Sequence, residues 1–163
     1  MPILSSQALL AASMSVSAML GSNSVHTEII IPSAPENVWH VLVDIERYHE
    51  WNPAIILVEG SLAEGNSVTY RFQETETKAA NITSKVIAIE PNTHLNHKGG
   101  IWGVITFDQH YYLEPHGLGT KFTIHEDYTG FYVNFWDHSH TQTQYQKMAD
   151  ALKQRVLNLY PDE

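Results

Sequence analysis

Glu126 is the residue in this sequence most able to do chemistry. It sits between Ile124 and Tyr128 in a stretch whose alternate residues Phe122, Ile124 and Tyr128 share one side. Lys121, Thr123, His125 and Asp127 share the other side, so one face is apolar and one is wet. A carboxylate on the apolar face must be hydrogen-bonded, paired or protonated. It then serves as a structural partner, a polar anchor for a ligand, or a general acid/base with a raised pKa. Gln109 is in the same position one strand earlier, on the face of Ile105, Phe107, Tyr111 and Leu113. His97 shares parity with Leu95 and Gly99, while His94, three residues away, points to the opposite face. An inward His is either a neutral core residue bonded to a neighbour or a cavity residue acting as acid, base or donor. If Glu126 and His97 face one cavity they form an acid/base pair; the spacing in sequence leaves their separation open.

The chain has ten histidines, and Asp137-His138-Ser139-His140 is their densest cluster. Helical residues two apart diverge, so that pair chelates poorly, and no second cluster has recognised ligand spacing. The cluster reads as a helix start capped by Asp137 or Ser139, and no metal is expected. Tyr70, Tyr111, Tyr128 and Tyr145 offer hydroxyls to an otherwise apolar interior, the usual make-up of a small-molecule site. Gly99–Gly103 is a glycine-rich turn bearing Trp102, and Phe131–Trp136 is a strongly aromatic run. Each closes the core, gates a cavity or touches a membrane. There is no GxxxxGK[ST], GxGxxG or GxSxG motif, so nucleotide-binding and hydrolase folds have no support.

These residues need a frame to position them. Val25–Ile31 is a β-branched run ended by Pro32. Ser33, Pro35 and Glu36 start a helix carrying Val38, Trp39, Leu42 and Val43, and Asp44–His49 gives a second short one before Trp51-Asn52-Pro53. Strand signals follow at Ile55–Glu59, Ser67–Gln73, Asn81–Ile89, His94–Lys98, Gly103–Glu114 and Thr120–Gly130, joined by short turns. Short connections imply an antiparallel meander. Thr141, Tyr145, Met148, Leu152, Val156 and Leu159 then form one helical apolar stripe. The expected fold is α+β: a curved seven-stranded antiparallel sheet wrapped around a long C-terminal helix, with two short helices after the first strand.

Ile31-Pro32-Ser33-Ala34-Pro35-Glu36-Asn37-Val38-Trp39, with Leu42, Asp44, Tyr48 and Trp51-Asn52-Pro53, resembles the opening of the polyketide cyclase/dehydrase and lipid-transport family. That family belongs to the SRPBCC superfamily, with START-like and birch-pollen-allergen-like proteins. Leu113-Glu114-Pro115, Gly119–Thr123 and Glu126–Gly130 resemble its closing hairpin, and Met148 with Ala151–Lys153 its final helix. Where members often carry an aromatic near Leu95, this chain has His97. The resemblance implies a helix-grip fold with a cavity for a lipid, polyketide, quinone or similar molecule. On that reading the sheet contributes Tyr70, Phe72, His97, Phe107, Gln109 and Tyr111 to the ligand site. The last strand adds Phe122, Ile124, Glu126 and Tyr128; the helix adds Thr141, Tyr145 and Met148. A carrier or sensor is the expected function, and a cyclase/dehydratase using Glu126 and His97 the alternative. No cofactor is expected.

The 163 residues suit one domain, and 9 Lys+Arg against 18 Asp+Glu give a net charge of −9. That excludes a basic nucleic-acid surface. With no cysteine, disulfides and thiolate chemistry are excluded too. No charged side chain precedes Glu28, and Ala8–Leu20 is apolar and small, followed by Gly21–Ser24. Residues 1–24 read as an apolar leader or extension ahead of a single domain at 25–163. The apolar run is too short and Ser-rich to span a bilayer. It fits a signal's apolar core but lacks a basic n-region. A cytoplasmic location is therefore expected, with export through a weak signal as the alternative.

Overall fold

The computed structural model describes residues 20–161. Residues 1–19, which hold most of the expected leader, lie outside the described residues. Seven strands form one antiparallel sheet: β1 (Gly21–Ile31), β2 (Ile55–Gly60), β3 (Ser67–Gln73), β4 (Ala79–Glu90), β5 (His94–Ile101), β6 (Ile105–His116) and β7 (Gly119–Gly130). Their order is β1-β7-β6-β5-β4-β3-β2. Helix α1 (Pro35–Val43) and a 3₁₀ turn (Ile45–Glu50) carry the chain from one sheet edge to the other. Helix α2 (Ser139–Leu159) packs against β1, β7 and α1. This is the expected helix-grip architecture.

The sequence explains the elements. Pro35 opens α1 because its missing N–H is not needed in the first turn. Val38, Trp39, Val41 and Leu42 form its buried side. Asn52 sets the corner: its Oδ1 accepts the backbone N–H groups of Ala54 and Ile55, both at 3.0 Å. The N-cap of α2 is His138, with no side-chain capping bond, rather than the expected Asp137 or Ser139; Asp137, one residue earlier, accepts the Ser139 N–H on its Oδ1 at 2.9 Å. Thr141, Tyr145, Met148, Leu152 and Val156 are buried as one stripe, joined by Gln144 and Ala149. Leu159 departs from the expected stripe and is exposed as the last residue of the helix, before its C-cap Tyr160.

Two strand boundaries differ from expectation by more than two residues. β1 begins at Gly21, not Val25: Gly21–Ser24 pair with Gly130–Asp127 of β7. Gly, Ser and Asn have weak strand preference, and tertiary pairing overrides it. β5 continues through Gly99 and Gly100 to Ile101, leaving only Trp102–Val104 as the turn, and Gly103 lies in that turn. A side chain at Gly99 would meet the Phe107 ring at 2.5 Å and the Thr83 carbonyl at 2.7 Å, so glycine there lets Phe107 lie across the sheet.

Candidate functional site

Cross-strand register builds the site. His97 of β5 faces Gln109 of β6, and Gln109 faces Glu126 of β7. Val86 of β4 and Val25 of β1 complete the row at its two ends. All five side chains are buried on the concave face. Adjacent strands lie about 4.8 Å apart, so the backbones at Glu126 and His97 are about 10 Å apart, with Gln109 between them. The two share a face but form no direct pair.

Helix α2 supplies the other half. Tyr145 Oη donates to Glu126 Oε2 and accepts from Gln109 Nε2 at 2.6 Å. Tyr128 Oη also donates to Glu126 Oε2, with the Thr141 hydroxyl hydrogen-bonded beside it. Burial raises the Glu126 carboxyl from its usual 4.5 to about 7, against the lowering effect of the two tyrosine hydroxyls. Burial likewise pushes the Tyr128 and Tyr145 hydroxyls up, with the Glu126 charge adding to it. Glu126 therefore exchanges its proton near neutrality. The carboxyl is buried, at 3% exposure, and the Tyr145 and Tyr128 hydroxyls both donate to it.

His97 lies in a second, aromatic group. The Tyr70 ring meets it edge-on at 5.9 Å and the Tyr111 ring at 6.2 Å. Tyr48 stacks on Tyr70, and Phe122 on Tyr111. Both His97 ring nitrogens are buried, and among the described residues no group hydrogen-bonds either one. Burial lowers its pKa from 6.5 to about 4, so the ring is neutral at pH 7. The expected core histidine bonded to a neighbour is thus not what the structure holds.

The remaining expected site residues divide by depth. Phe122, Ile124, Met148 and Tyr111 are buried in the packed core. Tyr70, Phe72 and Phe107 are half-buried, and the Phe72 ring meets Tyr145 at 6.1 Å. Tyr48, which packs on Tyr70, was not among the expected site residues. The sequence marks it only as part of the family-like opening, near Trp51, which it also contacts.

The outer face carries a pattern with no local sequence signal. His26, His125 and His110 stand side by side on β1, β7 and β6. His26 Nδ1 lies 3.4 Å from His125 Nδ1, and His94 Nε2 lies 2.9 Å from His110 Nδ1. Asp127 orients His125 at 3.2 Å and Asp108 orients His110 at 3.0 Å. Two depressions of about 980 and 500 Å³ lie on this outer face, not inside the grip. Among the described residues, no group of three His, Cys, Asp or Glu side chains is arranged to hold a metal ion. No described helix is long and apolar enough to cross a membrane.

Solved structures share the architecture. Norcoclaurine synthase from Thalictrum flavum, in complex with dopamine and hydroxybenzaldehyde, is 14% identical with a TM-score of 0.69, over 97% of this chain and 96% of that one. The major latex-like protein 151 of Panax ginseng is 16% identical with a TM-score of 0.68, over 83% and 98%. A Thermus thermophilus protein is 16% identical with a TM-score of 0.69, over 85% and 99%. These likenesses carry the fold. No functionally curated protein matches the chain. The helix grip, the inward polar row and the motifs at both ends agree with a sequence match over residues 22–157, by which this chain belongs to the polyketide cyclase/dehydrase and lipid-transport family of the SRPBCC superfamily.

Proposed function

We propose that this chain binds a largely apolar small molecule bearing one hydroxyl or carbonyl group, and works as its carrier or sensor. The molecule lies at the open end of the grip, against Tyr70, Phe72 and Phe107, with its polar group at His97. The observation that carries this reading is the His97 ring, buried with neither nitrogen bonded to any described residue. Each such orphan costs about 1–3 kcal/mol, which a ligand hydroxyl or carbonyl recovers. A neutral imidazole presents one donor and one acceptor, so it accepts from a hydroxyl or donates to a carbonyl. The Glu126–Tyr145–Gln109 network holds α2 on the sheet beneath the ligand.

A matched pair of probes tests this. 2-Naphthol and naphthalene differ by one hydroxyl. The native chain is expected to bind 2-naphthol about tenfold more tightly, and His97→Phe to lose that preference while still binding naphthalene. Equal affinity of the native chain for both probes would overturn the reading.

A second reading has its own support: Glu126, held near pH 7 by burial, is suited to move protons. On this reading the chain is a cyclase/dehydratase-type enzyme. Its catalytic proton passes through the Tyr145 hydroxyl to a substrate at the open end. The likeness to norcoclaurine synthase supports it as an analogy of fold. Glu126→Gln then abolishes turnover of an identified substrate while affinity persists; equal loss of both returns the site to binding.

A further inference from the structure

We infer that the tip formed by the β5–β6 turn and the segment after β7 docks this protein onto the surface of an electrically neutral lipid bilayer. Two runs far apart in sequence meet there. The Phe131 N–H donates to the Gly103 carbonyl and the Tyr132 N–H to the Val104 carbonyl, both at 3.0 Å. Gly130 makes the approach possible: its φ is 142°, and a side chain there would sit 2.2 Å from the Val104 carbonyl. Val133 is buried beneath, and Trp136 packs on Tyr128 at 4.6 Å. The tip is therefore a hydrogen-bonded platform anchored in the core.

What it displays is apolar. Trp102 is 84% exposed, Phe135 72% and Ile101 67%, with Val104, Phe131 and Tyr132 about half exposed. Six such exposed side chains on one tip, with the Phe131 and Phe135 rings 5.2 Å apart, are of the kind that marks an interaction surface. Trp and Tyr rings, apolar in body and polar at one edge, favour the boundary between lipid headgroups and acyl chains.

Charge decides the occupant. Residues 99–107 and 128–136 contain no Asp, Glu, Lys, Arg or His. In sequence they are flanked by Lys98, Asp108, Asp127 and Asp137, and Lys78, paired with Glu74, lies near Tyr132: four acids to two bases, on a chain of net charge −9. An anionic surface is repelled, and a zwitterionic one takes the apolar tip without that penalty. A second copy of the chain offers a poor match. The outer-face depressions are lined with charged and polar groups, including Glu28, Glu90, Lys121, Lys98 and Asp108, rather than an apolar socket. Docking by this tip brings the open end of the grip to the lipid.

Flotation of the full chain with phosphatidylcholine vesicles tests this without any ligand. The native chain is expected to float with the vesicles and to lose binding when phosphatidylserine replaces part of the lipid at low salt. Trp102→Ser with Phe135→Ser is expected to lower partitioning at least tenfold. Both side chains are exposed, so the thermal midpoint should hold, which separates loss of docking from loss of fold. Trp102→Tyr with Phe135→Leu, which keeps the apolar character, should retain binding. Absence of native binding, tighter binding to phosphatidylserine vesicles, or full binding by the double-serine variant would overturn the inference. So would a native dimer in sedimentation that those serines abolish.

Discussion

Glu126 and His97 are buried titratable groups whose effects on stability have opposite signs. Glu126 keeps its proton in the fold up to about pH 7, against 4.5 when unfolded. Below pH 4.5 both states hold that proton. Between 4.5 and about 7 only the fold holds it, so stability falls as pH rises, by about 3 kcal/mol in all. His97 is pushed from 6.5 to about 4. Above pH 6.5 it is neutral in both states. As pH falls from 6.5 towards 4 the unfolded chain takes up a proton that the fold refuses, and about 3 kcal/mol is lost in that direction. The two slopes nearly cancel in the native chain between pH 4.5 and 6.5. Glu126→Gln keeps an acceptor for both tyrosine hydroxyls and removes one slope. Its stability relative to the native chain should rise by about 3 kcal/mol from pH 4.5 to 7. His97→Phe removes the other, and its relative stability should fall by about 3 kcal/mol from pH 4 to 6.5. Urea unfolding followed by circular dichroism at pH 4, 5.5 and 7.5 gives both differences. All other side chains are common to the three proteins and drop out of the differences. Differences that stay constant across this range would refute the assignment of buried, opposed protons.

Tyr145→Phe removes a donor to Glu126 and an acceptor for Gln109. It should cost about 1–3 kcal/mol in urea unfolding and move the Glu126 titration further upward, since that hydroxyl lowers it. Gly99→Ala should drive the new methyl into the Phe107 ring and the Thr83 carbonyl, lowering stability by about 1–3 kcal/mol. Asn52→Ala leaves the Ala54 and Ile55 N–H groups unmet, and a urea midpoint should show about 1–3 kcal/mol of loss.

Much of this was legible because the last two strands alternate so regularly. Phe122, Ile124 and Tyr128 against Lys121, His125 and Asp127 show in the sequence alone which way Glu126 points. Faces are local properties with a period of two; register is not. That Gln109 stands between His97 and Glu126 follows from how β5, β6 and β7 are offset at their turns, which no single strand encodes. The outer histidine row was missed for the same reason: His26, His110 and His125 are far apart in sequence and meet only through pairing. Local density drew attention instead to His138 and His140, where His138 accepts from the Asn23 side chain at 2.8 Å. The Gly21–Ser24 extension of β1 was hidden because its residues have little strand preference without β7 beside them. The tip was half visible: both aromatic runs stood out, but only the fold brings them together.

The ligand reading stands or falls on the His97 ring nitrogens. Imidazole ¹⁵N resonances of the full chain, recorded at pH 7 during a 2-naphthol titration, report them directly. The account predicts that the lone-pair nitrogen of a neutral His97 shifts progressively as it accepts the naphthol hydroxyl, and saturates with the binding curve. A His97 whose nitrogens stay unmoved while 2-naphthol binds would contradict it.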